Sequence, residues 1–208
     1  GTDEQQPLKT EEGWVTGEGA TYTFTGSQLN EGTSKNAFTY ELNAGTLEEN
    51  YNISKTEGDL TVTKSTKAIT ISSDSKTWTY DGQDHSWPVY TVKYGDETAE
   101  AVESTEEGTY VFKLSTGDTV TISNAATVKN FSDTENKTEN NTYDYVVSNA
   151  GQYATVTPSY GTLTISKRDV TLLSDSFSKE YDGTALTNKN GTDEQQPLKT
   201  EEGWVTGE

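Results

Sequence analysis

The chain has 208 residues, with 34 Asp and Glu against 15 Lys and Arg, and therefore a formal net charge of −19. A surface this acidic disfavours nucleic acid as a partner, because phosphate binding needs patches of Lys and Arg. The absence of Cys, a single histidine (His85) and the lack of a long apolar run exclude thiol chemistry, a multi-histidine metal site and a membrane-spanning helix.

Strand patterns run along the whole chain. Alternating apolar and polar residues predict strands at residues 21–25, 38–42, 60–62, 69–71, 90–94, 110–114 and 163–165. Turn residues separate them at 81–82, 95–96, 116–118, 149–151 and 182–183. One short helical turn is expected at residues 46–50. The pattern predicts an all-β fold of two small immunoglobulin-like β-sandwich modules, with a β-grasp sheet as the alternative.

The same 18-residue sequence occurs at both ends of the chain. Residues 1–18 (GTDEQQPLKTEEGWVTGE) recur identically as residues 191–208, which sets a period of 190 residues. We interpret the chain as a window cut from a tandem array whose next copy has just begun. A duplication introduced by cloning is the alternative.

A second, weaker repeat lies inside this period. Residues 169–184 (DVTLLSDSFSKEYDGT) align without gaps on residues 68–83 (AITISSDSKTWTYDGQ), and LTVTK at 60–64 matches LTISK at 163–167. Each period therefore holds two related modules. We predict that residues 1–66 are a module A without its first strands, that 67–167 are a complete module B, and that 168–208 begin the next module A.

These motifs resemble the YDG-type repeats of large bacterial cell-surface proteins. The resemblance rests on SKEYDGT (residues 178–184), GEGATY (17–22), TGSQ (25–28), EENYNI (48–53) and GDLTV (58–62). TYDG (79–82) and SYGTLTI (159–165) are similar to the related MBG-type repeats of Gram-positive, Firmicutes-like adhesins. The resemblance implies an extracellular stalk that is anchored to the cell wall in the full-length protein, with no catalytic residues.

The two Tyr-Asp-Gly motifs are the repeat-signature turns, formed by Tyr80, Asp81 and Gly82 and by Tyr181, Asp182 and Gly183. We expect the Tyr to pack while Asp-Gly makes a tight turn, with Gly supplying a positive φ and Asp accepting a local backbone hydrogen bond. A ligand loop is the alternative.

An aromatic cluster is the candidate glycan site. Trp78, His85, Trp87 and Tyr90 could offer rings on which a sugar stacks, whereas the alternative is that they fill a thin core. Asp84 and Ser86 flank His85, but neighbouring strand residues face opposite sides, which argues against serine catalysis and against an enzyme.

Calcium is the one cofactor that the residues suggest. Its candidate ligands are the carboxylates of Asp74, Asp81, Asp84 and Asp96. No DxDxDG loop accompanies them, so the main expectation is that the chain has no cofactor.

The expected function is mechanical: stiff modules in series project a distal binding region from the cell surface. The alternative is a repeat that itself binds host mucin or glycans weakly, with avidity from its copy number. The expected partners are neighbouring copies of the repeat, arranged head to tail. We predict that residues 168–208, above all 170–173 and 177–181, complete residues 1–66 of a neighbour by strand donation.

Overall fold

The computed structural model of the chain describes residues 8–188 and 198–207. Contacts divide the chain into two compact units. Unit 1 extends to Ala68 and includes Asn149–Thr155, and unit 2 contains Ile69–Ser148 and the chain from Val156 onward. Almost all of the regular structure is β-strand, which confirms the all-β prediction.

The strands are, in chain order, β1 (Ala20–Phe24), β2 (Gly32–Lys35), β3 (Phe38–Leu42), β4 (Asp59–Val62), β5 (Ile69–Ser73), β6 (Lys76–Thr79), β7 (His85–Ser86), β8 (Tyr90–Tyr94), β9 (Glu97–Thr98), β10 (Glu100–Val102), β11 (Tyr110–Lys113), β12 (Thr119–Ser123), β13 (Thr127–Val128), β14 (Asp144–Val147), β15 (Val156–Ser159), β16 (Leu163–Ser166), β17 (Thr171–Leu173) and β18 (Thr200–Glu202). Two 3-10 turns, Glu48–Asn50 and Ala150–Gln152, and the helix α1 (Phe131–Thr134) complete the described elements. The sequence pattern did not predict α1, which one turn of backbone and a capping box between Asn130 and Asp133 suffice to form.

Unit 1 is built from two antiparallel strand pairs. Strand β1 pairs with β3, and β2 pairs with β4. The first pair carries four aromatic side chains, of which Phe24 and Phe38 have ring centroids 5.6 Å apart. Within residues 8–68, Phe38 is the one large apolar side chain that is buried. Unit 1 therefore has a thin core.

The core of unit 2 is centred on β5. This strand lies in the sheet order β15-β5-β8-β9, antiparallel to β8 and parallel to β15. Ile69 and Ile71 on β5 and Val92 on β8 are fully buried. The next strand, β6, pairs in parallel with β16. The first two strands of predicted module B are thus hydrogen-bonded to its last two.

A second sheet of unit 2 has the order β10-β11-β12-β14 and is antiparallel throughout. Phe112, Val120 and Ile122 contribute its buried side chains. Tyr90 on β8 meets Tyr110 on β11 edge to face, with ring centroids 5.2 Å apart. Aromatic contacts therefore join the two sheets.

A buried asparagine links the segments that follow β5 and β7 by hydrogen bonds to their backbone oxygens. The Nδ2 group of Asn141, which is fully buried, donates to the backbone oxygens of Asp74 (2.7 Å) and Trp87 (2.9 Å). The segment that precedes β16 passes so close that a Cβ on Gly161 would lie 2.3 Å from the Asp74 oxygen. Only glycine fits there without backbone movement.

Residues 168–188 pack loosely by comparison. Strand β17 pairs with β18 in the antiparallel register Thr171 to Glu202 and Leu173 to Thr200. Leu172 and Tyr181 expose 55% and 96% of their surface. The predicted module boundaries at 66/67 and 167/168 stay a prediction, because the spatial grouping into units does not report sequence repeats.

Candidate functional site

The first repeat-signature turn is an Asx-turn. The Oδ1 atom of Asp81 accepts a hydrogen bond from the Gln83 backbone N–H at 3.0 Å, and Gly82 has φ +76°. The same oxygen lies 2.9 Å from Nε2 of His85. The Gln83 N–H, and then the His85 ring, hold the pKa of Asp81 below its usual range.

Two of the candidate glycan residues form a stack at this turn. The rings of Trp78 and His85 have centroids 4.8 Å apart and planes 19° from parallel. Strand β6 supplies Trp78, and β7, held by its pairing with β13, supplies His85. Both side chains are half-buried.

Trp78 and Trp87 also pack against the cluster of Val128, Leu163 and Ile165. The ammonium group of Lys76 lies 4.4 Å from the centroid of the Trp87 ring. Both tryptophans therefore contribute to the interior of unit 2 while remaining partly exposed.

Tyr90, the fourth candidate, is buried between the sheets and contacts Tyr110 and Tyr143. Burial raises the pKa of Tyr90 to about 12 and that of Tyr143 to about 12. The Tyr143 hydroxyl donates to the backbone oxygens of Ile71 (2.8 Å) and Ser159 (3.2 Å). The Tyr90 hydroxyl is buried without a hydrogen-bond partner among the described residues.

The second repeat-signature turn has the same backbone geometry in a more exposed setting. Asp182 Oδ1 accepts from the Thr184 N–H (2.9 Å) and from Lys179 Nζ (2.8 Å), while Gly183 has φ +81°. The Lys179 ammonium and the Thr184 hydroxyl lower the pKa of Asp182 to about 2.

The structure does not gather the candidate calcium ligands Asp74, Asp81, Asp84 and Asp96 into a metal site. Among the described residues, no group of three or more acidic or histidine side chains is close enough to hold an ion. Asp81 instead bonds to His85 and Gln83. No calcium chemistry can be derived from this geometry.

Unit 1 contains a groove that the sequence did not indicate. Its volume is about 920 Å³, and it runs between residues 8–14 on one side and 52–58 on the other. Its aromatic floor comes from the first strand pair and consists of Tyr22, Phe24, Phe38 and Tyr40. Alternation along β1 and β3 placed these rings on one face, but it could not show that a groove lies over that face.

Tyrosine hydroxyls hold one wall of the groove in place. Tyr22 donates to a carboxylate oxygen of Glu11, and Tyr51 donates to one of Glu18. Trp14 packs edge to face on Tyr51, with ring centroids 4.8 Å apart. Burial and the bond to Glu11 raise the pKa of Tyr22, and the bond to Glu18 raises that of Tyr51. These contacts tie residues 11, 14 and 18 to the aromatic side chains of unit 1.

No protein-family profile, curated protein or solved structure matches the chain. The similarity to YDG- and MBG-type repeats thus stays a hypothesis that rests on the motifs. Within residues 8–188 and 198–207, no helix is long and apolar enough to cross a membrane.

Proposed function

We propose that this chain is a non-enzymatic spacer from the stalk of a secreted bacterial surface adhesin. The stalk projects a distal binding region from the cell wall, outside the cell. The 190-residue period supports a repeated building block, and the motifs support the surface-protein family. The charge of −19 fits this role because it keeps neighbouring stalks apart.

The observation that carries the proposal is the parallel pairing of the first and last strands of predicted module B. Strand β5 pairs with β15 from Ile69–Val156 to Ser72–Ser159, and β6 pairs with β16. When the two ends of the module are pulled apart, parallel neighbours slide past each other. Their evenly spaced hydrogen bonds are then loaded together, whereas an antiparallel hairpin opened at its end breaks one bond at a time.

We propose a β-sandwich for module B, with facing sheets joined by the contacts of Tyr90 with Tyr110 and Tyr143. Immunoglobulin-like domains have two antiparallel sheets, and the first sheet here is mixed. The parallel pairing of β5 with β15 therefore supports a β-grasp arrangement of this sheet over an immunoglobulin-like one.

Single-molecule pulling tests the mechanical role. Because the chain has no Cys, handles can be attached at chosen positions. Thr66→Cys with Asp169→Cys loads the parallel pairs in shear. Thr66→Cys with Asp96→Cys opens the antiparallel β5–β8 pair from the end where Ile69 meets Tyr94. All three positions are exposed. We expect a clearly higher rupture force for the first pair. Equal forces would contradict the proposal.

The second candidate function is weak glycan binding at the Trp78–His85 stack. The observation that favours it is that the two stacked rings are only half-buried. Mucin and glycan arrays would test it with His85→Ala and with Tyr181→Ala, at a side chain that is 96% exposed, as a control outside the stack. Binding lost only in His85→Ala, in protein that keeps its circular dichroism spectrum, would favour adhesion over the spacer role.

A further inference from the structure

Because of the internal repeat, the strand pairs of unit 2 can be compared with the matching residues of unit 1. By the ungapped alignments, β5 and β6 correspond to residues 170–174 and 177–180, and β16 corresponds to residues 60–63. Extending the second alignment toward the N-terminus without a gap makes residues 53–56 the counterpart of β15. In unit 2 these four strands are paired, β5 with β15 and β6 with β16. Unit 1 contains the counterparts of β15 and β16 only.

The counterparts in unit 1 are less fully paired and less buried, since β4 pairs with β2 but has no counterpart of β6 beside it. Residues 53–56 belong to no strand, although β15 does. Leu60 and Val62 on β4 are half-buried, whereas the matching Leu163 and Ile165 on β16 are fully buried. Residues 52–58, which include the counterpart of β15, line the groove of unit 1.

Residues 168–188 have the complementary property, since their apolar side chains are exposed. Leu172, the counterpart of the fully buried Ile71, exposes 55% of its surface, and Phe177 exposes 39%. Tyr181, the counterpart of the half-buried Tyr80, exposes 96%. Residues 168–188 and the groove of unit 1 therefore each leave apolar surface exposed to water.

The strand partner that β17 has in this structure indicates which segment fits the groove. Strand β17 pairs with β18 (Thr200–Glu202), whose sequence is identical to TEE at residues 10–12. Residues 10–12 form part of the groove wall and belong to no strand. The groove thus presents the same partner sequence that β17 already uses.

We propose that the groove of unit 1 binds residues 170–181 of a second copy of this chain. Thr171–Leu173 of the donor run antiparallel to residues 10–12 and parallel to residues 53–56, with Thr171 beside Ser54. Phe177 lies beside Leu60. Where the period continues in one longer chain, the donor is the preceding period. This inference deepens the proposed function, because strand insertion joins successive periods in series.

Disulfide trapping tests the register. Ser54 and Thr171 are exposed, and neighbouring strands place Cα atoms within the 4.4–6.8 Å that a disulfide spans. The 208-residue chain with Thr171→Cys is mixed, under mild oxidation, with the same chain carrying Ser54→Cys and a tag that changes its size. We expect a crosslinked heterodimer, and much less of it when Leu29→Cys, 89% exposed and outside the groove, replaces Ser54→Cys.

Equal crosslinking by the two partners would overturn the proposal. So would a Thr171→Cys, Ser54→Cys double variant that closes only within single chains at every concentration, because the groove would then hold the chain's own segment.

Light scattering on the uncrosslinked protein gives a second readout. Leu172→Asp is expected to weaken association about tenfold or more, because a leucine side chain can no longer be buried on binding. Leu29→Asp adds the same charge outside the groove and should leave association unchanged. A wild-type chain that stays monomeric at every concentration would overturn the proposal. The pulling comparison across predicted module B needs no second copy, so the two proposals fail separately.

Discussion

Two buried tyrosines in contact with each other should respond in opposite ways to loss of their hydroxyl groups. The rings of Tyr90 and Tyr143 have centroids 5.2 Å apart. The Tyr143 hydroxyl bonds to the oxygens of Ile71 and Ser159. A buried hydrogen bond contributes about 1 kcal/mol net, so Tyr143→Phe should lower the free energy of unfolding by roughly 1–2 kcal/mol.

The Tyr90 hydroxyl is desolvated without a partner among the described residues. Tyr90→Phe removes this penalty and should raise the free energy of unfolding by about 1 kcal/mol. Urea titrations at pH 7, followed by circular dichroism and Trp fluorescence, measure both variants. The reasoning fails if Tyr90→Phe is destabilised as much as Tyr143→Phe.

The alkaline pH dependence provides an independent check. The folded chain holds both phenol protons to a pKa of about 12, whereas the unfolded chain releases them near pH 10. Stability should therefore be fully present below pH 10 and fall as pH rises to 12, by at most ~1.4 kcal/mol per pH unit for each tyrosine. Each Phe variant should remove its own share of this slope. An unchanged slope in both variants would refute burial as the cause.

Three further predictions concern the backbone, the core and the second turn. Gly161→Ala should destabilise unit 2 by about 2–4 kcal/mol, because its Cβ meets the Asp74 backbone, while Gly151→Ala, with nothing within 4 Å, should be nearly neutral in the same melts. Ile165→Ala should lower the free energy of unfolding, measured in urea, by about 2–5 kcal/mol, because Ile165 is fully buried. Its counterpart Val62 is half-buried, so Val62→Ala should lower the free energy of unfolding of the monomer by less than about 1 kcal/mol. Equal losses would contradict the difference in burial. The Asp182 carboxyl should titrate near 2 by NMR, so its stabilisation of the turn persists above pH 4 and disappears as pH falls through 2; a midpoint near 3.8 would contradict the bonds to Lys179 and Thr184.

The local elements were readable from the sequence because they depend on neighbours along the chain. All seven predicted strands are present, with ends shifted by at most two residues, but the other 11 described strands were not among them. Thr-Tyr alternation determines which face of a strand is apolar, and Gly next to Asp or Asn supplies turns of positive φ. The helix α1 was missed because four residues are too few to show a helical period.

The candidate site was harder to read because side-chain periodicity does not say what covers a face. Trp78 and His85 do stack, but Tyr90 is buried between sheets against Tyr110. Asn141 carries no pattern signal at all, and its burial depends on backbone oxygens that belong to distant segments.

The sequence by itself determined the β class, the position of most turns and the 190-residue period, since each is a property of adjacent or repeated residues. Tertiary structure alone decided that β5 and β6 pair in parallel with β15 and β16, about 87 residues away. It also decided that residues 8–14 and 52–58 of unit 1 line a groove with the rings of β1 and β3. The physical reason is that alternation specifies the buried face of a strand, whereas its hydrogen-bonding edges can accept any strand that the rest of the chain delivers.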